Sequence, residues 1–278
     1  RTAWSNAAIA TAALSLSADR PTTVRRTRAE WPSVPPHSAY IGGMSISDPC
    51  SFLYQPGLWD PDGALRVTRE ALTACDDGEL YLQYSASESF GFDDGRLKMA
   101  DYSTASGFGL RGVSGEMTGF SHANELSEGA IRRAAETLQL LDPAKGQIAP
   151  PPRKNNRHLY TDGNPLDLVP FARKVELCQK IDAAARARDP RVAQVSVSLA
   201  GSWSVIEIVR ADGFVATDIR PLVRLNVSIV TEENGRRETG TYGFGGRKLY
   251  DDLFDEAAWS HAIDEALAQS LTNLRSVD

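Results

Sequence analysis

Two Asx-Gly dipeptides, each set between extended runs, constrain the fold of this chain more than any other sequence feature. They are Asp94-Gly95 and Asn234-Gly235. Such dipeptides readily adopt the positive φ angles of two-residue turns between antiparallel strands. Asp212-Gly213 and Gly115 predict two further tight turns. Because no strand–helix–strand alternation accompanies these turns, the sequence predicts an α+β fold of two domains, with mainly antiparallel sheets and flanking helices.

Four segments have the apolar spacing of helices, and the predicted helices cover residues 59–75, 127–140, 167–188 and 251–278. We expect Asp62 to be the N-cap of the first helix. In the third helix we expect Leu168 and Phe171 to face the core. Before the last helix the pattern predicts a run of strands at Val192–Leu199, Trp203–Val209, Phe214–Ile219, Val223–Val230 and Arg236–Thr241.

Changes in composition divide the chain into four parts. Residues 1–43 are rich in Ala, Ser, Thr, Pro and Arg, so we expect a disordered arm or a mis-called start, with Met44 as the natural first residue. Residues 143–158 include three consecutive prolines and predict a linker. A first domain over residues 44–142 and a second over residues 159–278 remain.

The charge and the apolar content exclude several classes of protein. The chain has 278 residues, 42% of them hydrophobic, which is enough to form a core. Its formal net charge of −6 argues against a protein that binds nucleic acid directly, because such a protein needs a basic surface. No run approaches the length of apolar sequence that crosses a bilayer, so we expect no membrane partner. Cys50, Cys75 and Cys178 form no CxxC pair, which favours a reducing compartment.

No complete active site is visible in the sequence. None of the four histidines is followed by Glu, so there is no HExxH zinc helix; they are His37, His122, His158 and His261. No serine lies in a GxSxG elbow. The glycines at positions 107, 109 and 112 match GxGxxG, but both flanks are predicted as strands, whereas a dinucleotide site needs a helix after the loop. From the residues alone we therefore assign no catalytic, cofactor-binding or metal-binding residue.

An ordered set of short motifs resembles the TldD/PmbA family, which is peptidase family U62, once called modulators of DNA gyrase. The motifs run from about Met44 to the C-terminus, and the last three are more similar to the TldD branch. They are Glu88-Ser89, the DDGRLK run at 93–98, the glycine-rich run at 107–111, Thr118-Gly119-Phe120, Asp189-Pro190-Arg191-Val192, DIRP at 218–221, ETG at 238–240 and GFGGR at 243–247.

The resemblance implies a zinc metallopeptidase that degrades or processes unfolded peptides in the bacterial cytoplasm. In that family the zinc helix carries HExxxH, with a later Cys ligand, and follows a helix like the one predicted at the end of this chain. We therefore expect that the C-terminal metallopeptidase domain is missing here. The chain itself should hold no zinc and should be inactive alone, because zinc hydrolysis needs about three protein ligands and a general base.

The resemblance also implies a PmbA/TldE-like partner subunit, or self-association as a dimer. Extended peptides could pair with an exposed strand edge, for which residues 203–209 and 236–241 are the candidates. Two alternatives remain open at this point. The chain could belong to a non-catalytic PmbA/TldE-like subunit that captures peptides, or it could be a gyrase-associated regulatory protein.

Overall fold

The computed structural model describes residues 48–55, 59–138 and 159–276. The predicted arm at 1–43 and the predicted linker at 143–158 lie outside the described residues, and so do His37 and His158. None of the described helices is both long and apolar enough to cross a membrane.

A single antiparallel sheet of six strands is the centre of the described structure, in the order β3-β2-β1-β4-β5-β6. The strands are β1 (Asp77–Asp93), β2 (Arg96–Ser114), β3 (Met117–Ala123), β4 (Val192–Arg210), β5 (Val215–Glu233) and β6 (Arg236–Gly246). The predicted α+β class with antiparallel pairing is confirmed. The strands of the two predicted domains nevertheless form one sheet, because β1 pairs with β4 from Glu79–Arg210 to Asp93–Ser196.

The predicted turns explain the order of the hairpins. Asp94 and Gly95 have φ angles of 47° and 72°, and Asn234 and Gly235 have φ angles of 53° and 80°. These left-handed angles at both central residues are those of the type I′ turn, whose twist matches that of the flanking strands. Gly115 and Gly213 also have positive φ angles, at the turns after β2 and β4.

β4 and β5 are longer than predicted, because each of them joins two of the predicted strands. β4 continues through Gly201, which leaves room for the buried Tyr250 ring against the sheet. β5 continues through Pro221, which pairs with Trp203. Along a strand, successive residues direct their backbone hydrogen-bonding groups alternately to the two neighbouring strands. Because Glu233 and Arg236 form the pair that closes the turn, the odd-numbered residues of β5 direct these groups toward β6. β6 ends opposite Val223, so Pro221 removes no ladder hydrogen bond on that side.

Five α-helices accompany the sheet in the described part of the chain, and their ends correct several predictions. The helices are α1 (Pro61–Ala71), α2 (Glu128–Leu138), α3 (Pro165–Leu168), α4 (Phe171–Arg188) and α5 (Glu256–Arg275). The prediction of Asp62 as N-cap is wrong: Asp60 caps α1, its carboxylate accepting from Gly63 N at 2.6 Å. Proline at the first helical position explains this shift, because its missing N–H has no intrahelical partner to lose.

Two of the other predicted helices, those at 167–188 and 251–278, are interrupted. Pro170 separates α3 from α4, because proline disfavours the helical conformation of the residue before it. Leu168 and Phe171 are therefore 56% and 52% exposed, and the prediction that they face the core is wrong. The last predicted helix is a 3-10 turn, Tyr250–Leu253, followed by α5, which begins after the N-cap Asp255.

The core of the described structure lies on one face of the sheet. The buried apolar residues of β1, such as Leu80, Leu82 and Phe90, all have even numbers, so they share a face. Helices pack on this face over two hydrophobic clusters. Small polar residues lie on the opposite face, where Ser85 forms a side-chain hydrogen bond with Ser204 at 3.0 Å.

Candidate functional site

The two described histidines are on the surface, one on β3 and the other on α5, which packs beside β6 at the opposite end of the strand order. His122 is exposed on the edge strand β3 and stacks on Phe120, with ring centroids 5.8 Å apart. His261 is exposed on α5 and contacts the edge of the Tyr242 ring, with centroids 5.4 Å apart. The structure therefore does not bring them together.

The three cysteines are protonated thiols at neutral pH. Burial raises the pKa of Cys178 to about 11 and also raises the pKa of Cys75. Burial, reinforced by the Asp48 carboxylate, raises the pKa of Cys50 to about 12. A thiol needs the thiolate form to act as a nucleophile or a metal ligand. These cysteines are therefore suited to packing.

The GxGxxG pattern lies within β2, so it does not form a phosphate-binding loop. A Cβ at Gly107 would lie 2.6 Å from the carbonyl oxygen of Ala123, and a Cβ at Gly112 would lie 2.8 Å from Cys75 Sγ. Glycine is needed here because neighbouring groups approach the strand closely. The prediction that extended backbone flanks this motif is confirmed.

The described residues do not fit a metal centre. Among residues 48–55, 59–138 and 159–276, no group of three or more His, Cys, Asp or Glu side chains is arranged to hold a metal ion. A structural or catalytic zinc site needs about that number of protein ligands.

A buried ion pair lies in the core at Glu88, one of the residues that carry the resemblance stated above. Lys174 Nζ donates to Glu88 Oε1 at 2.5 Å and to the Leu166 carbonyl oxygen at 3.0 Å. The ammonium also lies 4.9 Å from the centre of the Tyr250 ring, where cation–π attraction stabilises it. The lysine is 2% exposed, so this pair holds β1, α3 and α4 together and is not accessible to a substrate.

A second buried carboxylate anchors the segment before α1 to the sheet. Glu207 on β4 is 6% exposed and accepts a hydrogen bond from the Tyr54 hydroxyl. Phe52 of the same segment stacks on Tyr84, with centroids 4.9 Å apart. Burial raises the pKa of the Glu207 carboxyl; the hydrogen bond from Tyr54 opposes this shift and the charge of Asp48 adds to it.

The raised pKa of Glu207 predicts a dependence of stability on pH. Above about pH 4 the unfolded chain releases this proton while the folded state still holds it, so the free energy of unfolding should fall as the pH rises. The fall ends above the raised pKa. Glu207→Gln should remove this part of the fall, as urea unfolding between about pH 4 and pH 7 would show. Parallel profiles for the wild type and the variant would contradict the assignment.

Neither strand edge predicted from the sequence is open. Residues 203–209 belong to β4, which pairs with β1 on one side and β5 on the other, so that prediction is wrong. Residues 236–241 belong to the edge strand β6, but α5 packs against this edge and occupies two of its outer hydrogen-bonding groups. Asn273 Nδ2 donates to the Thr239 carbonyl oxygen at 3.1 Å, and Gln269 Oε1 accepts from Thr241 N at 2.6 Å.

An edge without a described partner strand is found on β2 instead. β3 pairs only with residues 108–114 of β2, so no described strand pairs with the outer side of residues 96–106, which we call the β2 edge. Because Ser114 and Met117 close a two-residue turn, even-numbered residues of β2 from Ala100 onward, beyond the bulge opposite Gly91 and Phe92, direct their backbone groups away from β1. Ala100 and Thr104 therefore present N–H and C=O groups outward, and both residues are exposed.

The side chains around the β2 edge are mixed in character. Apolar groups on the helix side of the sheet include Leu97 and Phe171, which are 37% and 52% exposed. Met99, 47% exposed, lies on the other side against Gly91. The part nearer β3 carries Ser103, Thr104, Ala105 and Ser106, which are small and make little demand on the sequence of a pairing strand. The arrangement can bind an extended polypeptide through its backbone.

The fold is that of several solved structures. A protein from Bacteroides thetaiotaomicron described as a modulator of DNA gyrase has a TM-score of 0.60 and 17% identity, over 74% of this chain and 49% of that one. TldE from Thermococcus kodakarensis has a TM-score of 0.57 and 16% identity, over 73% of this chain and 46% of that one.

Two family models match on either side of the predicted linker. The PmbA/TldA metallopeptidase domain 1 matches residues 78–140, and the PmbA/TldA metallopeptidase central domain matches residues 164–274. The chain belongs to the PmbA/TldD family of metallopeptidase-like proteins, as the resemblance predicted.

Curated relatives show how much of such a protein this chain spans. The Metalloprotease TldD homolog of Buchnera aphidicola from Schizaphis graminum is 39% identical over 209 residues, which are 72% of this chain and 43% of the relative. The Metalloprotease TldD homolog of Haemophilus influenzae is 38% identical over 210 residues, which are 73% of this chain and 44% of the relative. The chain thus spans less than half the length of these relatives.

Proposed function

We propose that this chain is the amino-terminal part of a TldD-like zinc metallopeptidase that degrades or processes unfolded peptides in the bacterial cytoplasm. Its sequence identity of 39% and 38% to two proteins named Metalloprotease TldD homolog supports the activity. Its coverage of less than half their length supports a partial chain. The zinc ligands would lie in a further catalytic domain. The described residues, which do not fit a metal centre, would then bind peptides without cleaving them.

The β2 edge is the feature that supports this role. An extended peptide that pairs there would gain main-chain hydrogen bonds at the outward groups of Ala100 and Thr104 without needing a particular sequence. Its side chains would alternate between Met99 on one side of the sheet and Leu97 with Phe171 on the other. Such binding suits an enzyme whose substrates are unfolded chains of many sequences.

Proline at Thr104 tests this role. Thr104→Pro removes an outward N–H and leaves the hydrogen bonds between β2 and β1 in place, so the fold should persist. The full 278-residue chain would be mixed with an unstructured peptide rich in Thr, Val and Lys, and backbone amide exchange would be followed. In the wild type, exchange at residues 96–106 should slow by about tenfold at saturation. The variant should bind the peptide at least about tenfold more weakly.

Thr104→Val is the matched control, because it keeps the N–H and the β-branched shape and should bind as the wild type does. Mass spectrometry of the same mixture with added zinc should recover the peptide intact. Unchanged exchange at residues 96–106, or equal binding by the proline variant, would refute the β2 edge as the binding site. Peptide cleavage that a chelator stops would refute the proposal that this chain is inactive alone.

A non-catalytic PmbA/TldE-like subunit is the second candidate, favoured by the fold shared with TldE. In an assembly of this kind the partner would be a TldD-like subunit, or a second copy as a dimer. The two candidates differ in the rest of the polypeptide: an HExxxH helix there supports the peptidase, and a remainder without it supports the partner subunit.

The third candidate, a gyrase-associated regulatory protein, is favoured by solved structures described as modulators of DNA gyrase. The formal net charge of −6 weighs against direct binding to DNA. A salt-dependent DNA mobility shift would support this candidate over the peptidase.

A further inference from the structure

An open cleft of about 430 Å³ lies where β6 ends, and no role for it follows from the proposed function. One wall is the segment at residues 159–161, and the other is formed by residues 247–249, 251 and 252. The first wall is anchored to the core, because Trp203 Nε1 donates to the Asp162 carbonyl oxygen at 3.3 Å and Leu249 packs against Gly163. The first wall therefore continues directly into anchored backbone.

Arg247, the last residue of the GFGGR motif, is the distinctive group in this cleft. Its guanidinium carbon lies 5.3 Å from the centre of the Tyr160 ring. Most arginines in the described part of the chain pair with a carboxylate, as Arg191 does with Asp189 at 2.8 Å. Among the described residues, Arg247 has neither an ion pair nor a hydrogen-bond acceptor for its side chain. A guanidinium stacked on a ring keeps its N–H edge available for a planar oxyanion.

The other residues of the cleft select the kind of anion. Lys248 is already paired with Asp252 at 3.2 Å, and Asp251 lies beside them. Two carboxylates in the lining disfavour a ligand with the double charge of a phosphate monoester. A carboxylate carries one negative charge and matches the guanidinium fork in a bidentate pair. Leu159 and Leu249 offer apolar contacts for the carbon chain that bears it.

We infer that this cleft binds a carboxylate through Arg247, supplied either by the C-terminal end of a polypeptide or by an acidic side chain. The guanidinium would hold both carboxylate oxygens, and Tyr160 would fix the plane of the fork. This site is separate from the β2 edge, because β6 and β2 are four strands apart in the sheet order. Its test measures binding, so the result does not depend on peptidase activity.

Three blocked peptides distinguish the sources of the carboxylate. The first is acetyl-Ala-Ala-Ala-Leu with a free C-terminal carboxylate, the second is its C-terminal amide, and the third is acetyl-Ala-Glu-Ala-Leu amide. Chemical shifts of the Tyr160 and Leu249 amides in the full 278-residue chain would report binding. The second peptide should bind at least about tenfold more weakly than whichever carboxylate peptide the cleft accepts, because it lacks the charge-assisted pair.

Two variants link the binding to Arg247. Arg247→Lys keeps the charge but loses the planar fork, so carboxylate binding should weaken by about tenfold. Arg237→Lys is the matched control, because this exposed arginine of β6 pairs with Glu232 away from the cleft. This variant should bind the carboxylate peptides as tightly as the wild type does. Equal binding of all three peptides, no effect of Arg247→Lys, or no binding up to about 10 mM peptide would overturn the inference.

Discussion

Lys174→Met should lower the free energy of unfolding by about 3–5 kcal/mol, a large effect for a single substitution. Methionine fills a similar volume but leaves Glu88 charged, 9% exposed and without its partner at 2.5 Å. It also leaves the Leu166 carbonyl oxygen without the hydrogen bond from the lysine ammonium. Equilibrium unfolding in urea, followed by circular dichroism, would measure the loss.

Two further variants show whether the loss comes from an unpaired charge. Lys174→Met combined with Glu88→Leu removes both charges and should recover most of the stability, because an apolar pair of similar volume replaces a buried ion pair at little cost. Lys180→Met on the same helix removes an exposed ion pair with Glu176 and should leave stability nearly unchanged. A double variant no more stable than Lys174→Met alone would contradict the explanation.

Gly240→Ala should also be damaging, with a loss of about 1–3 kcal/mol or more. A Cβ at this position would overlap the carbonyl oxygen of Ala266 and lie 2.6 Å from Ser270 N, both in the backbone of α5. Backbone atoms inside a helix cannot move aside as a flexible side chain can. The helix must therefore shift away from β6 and expose part of Ile263 and Leu267, which are buried now. Urea unfolding would measure the loss.

Gly246→Ala is the matched control in the same strand. A Cβ there would meet only the Lys248 side chain, at 3.9 Å, and the backbone does not need a positive φ angle. Alanine should therefore leave stability unchanged or raise it slightly, because glycine loses more conformational freedom on folding. Equal losses for the two variants would show that the contact with α5 is not the cause.

The sequence predicted the local structure of this chain better than its long-range pairing. The Asx-Gly turns at 94–95 and 234–235 depend on neighbouring residues, and both were confirmed. The pairing of β1 with β4 joins segments more than a hundred residues apart. Alternation shows which face of a strand is buried but does not identify the neighbouring strand, so the single sheet could not be predicted.

The candidate site was predicted least well, for a related reason. Whether a strand lies at an edge depends on which other strands pair with it, and its own residue pattern does not show this. The central strand at residues 203–209 therefore could not be distinguished from an edge strand. Gln269 and Asn273 have the polar character of ordinary surface residues on a helix, and nothing in the sequence showed that they hydrogen-bond to β6. The β2 edge exists because β3 is only seven residues long and β2 has nineteen.

The two sides of this sheet differ in their capacity for growth. On one side, α5 hydrogen-bonds to β6, and beyond the end of β6 the outer side of β5 is interrupted by Pro221, which lacks an N–H. On the other side, no described strand pairs with the outer side of residues 96–106 of β2. Head-to-tail stacking of copies needs a receptive border at both ends, so edge-to-edge fibres of this chain are disfavoured even though one border is exposed.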